Sequence, residues 1–165
     1  MLEPVACSPA SYGILVKLRG ARRAFHATLT DEAGTRERVF ATPQLLRTLK
    51  THIERSDRRS ATERCLRLFE LTVLLYGALD WQFAGNGIDI EADVQLERMR
   101  QNHLHGGPPA DDRLSAEDWL VRLRQQVSRL EQEAADEESY ASRLVKLTAL
   151  AQAALESACR RIELQ

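Results

Sequence analysis

Three carboxylates open the question of chemistry in this chain: Glu97, Asp111 and Asp112. They fall within residues 97–119, where a helical segment carrying Glu97, Arg98 and Gln101 runs into a Gly106-Gly107-Pro108-Pro109 loop. The loop carries the two aspartates and leads into Ser115-Ala116-Glu117-Asp118, a capping box in which each end satisfies an orphan N–H of the other. Carboxylate oxygens suit a hard cation such as Mg²⁺, which keeps waters and grips phosphates. Glu97, Asp111 and Asp112 are therefore the candidate metal ligands, with Glu97 and Asp112 the candidate catalytic groups. Arg98 and Gln101 would support that site or the phosphates bound there. A metal held there activates water against a phosphoanhydride. The structural alternative has Asp111 and Asp112 serving the next helix, whose N-terminus favours negative charge. Glu97 would then pair with Arg98, Arg100 or Arg113.

Other groups carry weaker signals. His103 and His105 lie two apart, so on a helix they diverge and read as surface residues. Glu156 either joins the acidic cluster from across the bundle or pairs with Arg160 at i+4. Arg143 and Lys146 meet either a phosphate or solvent. No P-loop, H-E-x-x-H, nucleophile elbow or dinucleotide fingerprint occurs.

The elements that must position these groups are mainly helical. Leu, Ala, Arg and Glu dominate the 165 residues, and aromatics are 5%. From residue 60 onward we expect a helical bundle. Its first helix follows Ser60-Ala61-Thr62-Glu63, another capping box, and is apolar nearly all round from Leu66 to Leu79, which places it at the centre. The next, over residues 88–104, puts Ile90, Val94, Glu97, Gln101 and Leu104 on one face. A helix burying Trp119, Leu120, Leu123, Val127 and Leu130 follows. The last helix buries Leu144, Leu147, Ala151, Leu155, Ala158 and Ile162.

Residues 1–59 read as a separate element beside the bundle of residues 60–165. Ile14, Val16 and Leu18 alternate with Lys17 and Arg19, which predicts a strand over residues 12–19. Strands over 24–30 and 35–41, with a hairpin loop at 31–34, complete a small antiparallel β-meander. One helix follows it, with Thr42 as N-cap and Pro43 at its first position. The fold class expected is thus mainly α, a helical bundle preceded by a β-meander and one helix.

Charge is asymmetric: residues 1–60 hold eleven Lys/Arg and six Asp/Glu, and the remainder twelve and eighteen. The basic strand residues, Lys17, Arg19, Arg22, Arg23, Arg36 and Arg38, lack the aromatic interleaving of a nucleic-acid surface, so a solvated or protein-binding face is expected. Cys7, Cys65 and Cys159 form no metal-knuckle spacing, and this usage suits a reducing, cytoplasmic setting. The longest apolar run, residues 71–79, is too short to span a bilayer.

The pattern Glu97-Arg98-x-x-Gln101, a Gly-rich loop, Asp111-Asp112 and Asp118-Trp119 resembles the phage- and prophage-encoded MazG-like proteins, small all-α nucleotide pyrophosphohydrolase-like chains. The resemblance covers about residues 91–162, and the stretch from Tyr140 through Arg143, Lys146, Glu156 and Ser157 is similar to that group's closing helix. It implies an all-α bundle, Mg²⁺, and cleavage of nucleoside triphosphates to monophosphate and pyrophosphate. Ala110 stands where members usually carry His, and the group's paired E-x-x-E and E-x-x-D motifs are missing. These departures imply an altered or lost activity. The second expectation is accordingly a non-catalytic phage or prophage protein that binds a host or defence protein. A homodimer is expected under both.

Overall fold

The computed structural model describes residues 9–29, 39–83 and 89–163. Among them lie seven helices: α1 (Pro9–Leu29), α2 (Thr42–Arg55), α3 (Ala61–Gln82), α4 (Ile90–His105), the single turn α5 (Pro108–Asp111), α6 (Ala116–Gln132) and α7 (Glu137–Glu163). There is no strand among the described residues.

The expected β-meander is therefore wrong. Residues 12–19 and 24–29 belong to one helix, and Val39 and Phe40 are helical. The hairpin loop at 31–34 and residues 35–38 lie outside the described residues. The reason is visible in the residues that suggested a strand. Ile14 and Leu18 are buried, whereas Val16 between them is 48% exposed. An alternation that short also satisfies i, i+4 spacing, and the stripe continues through Arg22 and Phe25 at helical intervals. Gly20, between the first two expected strands, sits within the helix. Two of the basic side chains of α1 face acids: Arg22 pairs with Asp80 at 2.8 Å, and Arg19 with Glu91.

α2 begins as its proline predicts, with Pro43 in the first turn, but Ala41 is the N-cap and no side chain caps it. Its buried residues are the predicted Leu45, Leu46, Leu49 and Ile53. Ser60 caps α3 by accepting from the Glu63 N–H. α3 lies at the centre as expected, with Leu68, Leu71, Leu74, Leu75, Tyr76 and Leu79 buried. α7 is the second central helix, and every residue from 151 to 158 is buried. The α3–α7 pair is the most extensive in the structure. α1, α2, α4 and α6 pack around these two, and one hydrophobic core contains residues from all six long helices. No helix among the described residues is long and apolar enough to cross a membrane.

Close packing of α1 on α3 depends on Gly77. A Cβ built there would meet Phe25 Cε1 at 2.7 Å and Phe40 Cζ at 3.1 Å. Those rings pack edge to face, with centroids 6.0 Å apart, so neither yields freely. Overpacking costs ~1–3 kcal/mol and alanine returns ~1 kcal/mol of helix propensity. Gly77→Ala is expected to lose about 1 kcal/mol net, a fall in Tm of roughly 2–4 °C by calorimetry. An unchanged or higher Tm would show that α1 does not seat on α3 in this way.

Candidate functional site

α4 was expected to turn Glu97, Gln101 and Leu104 inward after Ile90 and Val94. The buried stripe instead runs Ile90, Val94, Arg98, at strict i+4 intervals, and Leu104 is 58% exposed. A guanidinium thus stands where the stripe calls for an apolar residue. It is compensated from α7, where Glu156 accepts from Arg98 Nη2 on one carboxylate oxygen. The other oxygen accepts from Gln152 Nε2 at 3.2 Å. Gln152 Oε1 accepts from the Tyr76 hydroxyl at 2.6 Å. Burial pushes the Tyr76 phenol upward and keeps its proton in place for that bond. Arg22 lies over the Tyr76 ring, 4.5 Å from its centroid. A polar chain therefore runs from α1 through the core to α4.

The glycine-rich loop folds back from α4 onto α7. Gly106 ends α4 at φ 93° and Gly107 follows at φ 69°, left-handed values that strain any side chain. α5 then places the two aspartates differently. Asp112 accepts from Ser157 Oγ at 2.9 Å and from Arg160 Nη2 at 2.8 Å. Arg161 donates to the Asp112 and Leu114 carbonyls. Burial works upward on Asp112, but Arg160 and Ser157 outweigh it and hold the carboxyl below the ordinary range. Glu156 and Arg160 both look across the bundle, and neither makes the i+4 pair that their spacing suggests.

Asp111 points the other way. It is 8% exposed, and its Oδ2 has no hydrogen-bond partner. Burial raises its pKa above the ordinary carboxylate value, Asp112 and Glu156 add to the rise, and Arg98 and Arg160 oppose it. Glu97 is engaged by Arg100 at 2.8 and 2.6 Å and by Gln101 Nε2 at 3.2 Å. Burial acts upward on Glu97 too, but Arg100 prevails and its pKa is lowered. Gln101 also reaches the Lys146 carbonyl.

Glu97, Arg98, Gln101 and Asp111 line one pocket of about 480 Å³ between α4, α6 and α7, and Asp112 lies outside its wall. The other walls carry Arg100, Arg122, Arg129, Arg143 and Lys146, with His105 at the loop end. His103 is exposed. Arg98, Arg100 and Arg143 already hold Glu156, Glu97 and Glu133. Arg122, Arg129 and Lys146 have no ion pair among the described residues. The pocket wall also holds two further polar atoms that are buried and unpartnered, Trp119 Nε1 and Gln126 Oε1. The α6 contribution was not foreseen. Its signal is the spacing of Arg122, Gln126 and Arg129, a polar stripe flanking the apolar face that carries Trp119.

The residues do not fit a resident Mg²⁺ site. The described residues contain no group of three His, Cys, Asp or Glu side chains that could hold a metal ion. Glu97 and Asp112 each spend their oxygens on a guanidinium. No protein-family model, curated protein or solved structure matches the chain.

Two tests follow from this geometry. Arg98→Met leaves Glu156 buried without its partner and is expected to cost about 3–5 kcal/mol in urea unfolding. Arg98→Met/Glu156→Leu removes both charges and is expected to recover most of that loss. Equal losses would refute a fully desolvated pair. For Asp111, a raised folded pKa means that its ionisation opposes folding, so stability falls as pH climbs from the unfolded value to the folded one. Asp111→Asn is therefore expected to raise Tm at pH 7. The gain should vanish below the ordinary carboxylate pKa of about 3.9, which Tm measured against pH checks.

Proposed function

We propose that the chain binds a nucleoside phosphate in the pocket between α4, α6 and α7. The observation that carries this reading is the set of cations on the wall, in particular Arg122, Arg129 and Lys146, which make no close ion pair among the described residues. Clustered guanidinium and ammonium groups around a concave site suit phosphate oxygens, and arginine suits them bidentately. Trp119 Nε1, Gln126 Oε1 and Asp111 Oδ2 are buried behind the same wall without hydrogen-bond partners, and a small shift of these side chains would offer them to the nucleoside. The resemblance of residues 91–162 to MazG-like chains points to the same ligand class.

In this reading the carboxylates act differently from a metal-gripping set. Glu97 orients Arg100 and Gln101 on the pocket wall. Asp112 anchors the loop to α7 through Ser157 and Arg160. Asp111 faces the ligand. The activity assigned is binding through cations, with no resident Mg²⁺.

The test is calorimetric titration with nucleoside mono- and triphosphates, in EDTA and again in Mg²⁺. Saturable binding is expected in EDTA. Arg122→Ala/Arg129→Ala is expected to weaken it by about tenfold or more, with the fold intact by circular dichroism. Heat only in Mg²⁺, abolished by Asp111→Ala, would replace this reading with the metal-dependent one. Silence in both buffers from folded protein would end it.

A further inference from the structure

Away from the pocket, two cysteines from distant parts of the chain meet. Cys65 lies in the second turn of α3 and Cys159 near the end of α7. Their sulfurs are 2.7 Å apart across 94 residues of sequence. Both side chains are half-buried, so a small reagent can reach them from one side. Thiols that merely fill space do not need each other. A contact this close puts each sulfur within the other's attack range, and a disulfide requires them to close by only ~0.7 Å. We infer that Cys65 and Cys159 are a site of covalent modification, forming an intramolecular disulfide that ties α3 to the C-terminal end of α7 when a low-molecular-weight disulfide such as oxidised glutathione is present.

The step balances without any group from the protein beyond the two thiols. The Cys65 thiolate attacks one sulfur of glutathione disulfide, forms the mixed disulfide and expels one glutathione thiolate. Cys159, as its thiolate, attacks the Cys65 sulfur and expels the second. Two electrons pass to the glutathione, and the two thiol protons go to solvent or to the released thiolates. Cys65 suits the opening attack. Its pKa is lowered to about 7, first by the hydrogen bond with Cys159 and then by Lys17 and Arg64, against the upward pull of burial. The second attack is intramolecular and preorganised by the packing of α3 on α7.

The cross-link would fix the segment that holds the loop. Ser157 and Arg160, which bind Asp112, flank Cys159 on α7. A reduced chain relies on packing and on these non-covalent contacts to keep that end seated, and an oxidised one adds a covalent closure across 94 residues of sequence.

Cys7→Ser protein provides the test, since it leaves only these two cysteines. It is titrated natively with glutathione redox buffers and read by intact mass, thiol count and melting temperature. The expected product is a monomer lacking two hydrogens and carrying no glutathione, with Tm raised on the order of 10 °C over the reduced form. Adding Cys159→Ser should stop the reaction at the Cys65–glutathione adduct, without the rise in Tm. A stable glutathione adduct in the two-cysteine protein, a disulfide-linked dimer, or thiols that persist in oxidising buffer would each overturn the proposal.

Discussion

A guanidinium–carboxylate pair buried between two helices sets the constraint that the rest of this bundle satisfies. Arg98 and Glu156 are 7% and 5% exposed, between helices whose buried faces are mostly apolar. Desolvating two ions costs several kcal/mol each, and attraction repays it only with good geometry and every remaining donor and acceptor satisfied. Here the second Glu156 oxygen is met by Gln152, and Gln152 is in turn oriented by Tyr76. Each bond fixes the direction of the next. The Tyr76 proton can go only to Gln152 Oε1, which leaves Gln152 Nε2 to face the carboxylate. The pair thus fixes the placement of α4 on α7 more narrowly than apolar packing would, because a slip along the helix would orphan several groups together.

That placement creates the pocket. With Arg98 turned into the core, the neighbouring Glu97, Arg100 and Gln101 emerge along its edge and meet Lys146 and Arg143 from α7. The return loop is held by a separate device, Asp112 on Ser157 and Arg160, the residue after Glu156 and the one a turn beyond it on α7. Two adjacent aspartates have opposite environments as a result. Asp112 is paired and favours its charged form, whereas Asp111 is buried and disfavours it. The contrast follows from the fold, since one aspartate is turned to the cations of α7 and the other to the buried side of the loop.

The sequence made the bundle from residue 60 onward legible because long apolar stripes admit only one period. α3, α6 and α7 bury nearly the residues that their spacing selects. The N-terminal helix was misread because five residues of alternation, Ile14 to Leu18, are compatible with both periods. The continuation of the stripe through Arg22 and Phe25, and the packing of α1 on α3 and α7, decide for the helix. The site was legible in its location but not in its roles. Glu97, Arg98, Gln101 and Asp111 do converge, yet the inward-facing residue is Arg98, one position from the one chosen. A charged residue on an apolar stripe tells nothing of its partner, and Glu156, 58 residues away, is supplied only by the fold.

α7 is where these threads meet, and its sequence shows why one helix can serve several purposes. Its alanines, Ala149, Ala151, Ala153, Ala154 and Ala158, let neighbouring helices approach closely on all sides. Polar groups set among them reach different elements: Lys146 the pocket, Gln152 α3, Glu156 α4, Ser157 and Arg160 the return loop. Small residues make such burial affordable in space, and partners on every side make it tolerable in energy. A helix of larger apolar residues would fill the same volume and could not bring these contacts to one axis. The polar residues of α7 are therefore best understood as positioning devices for the elements that wall the pocket.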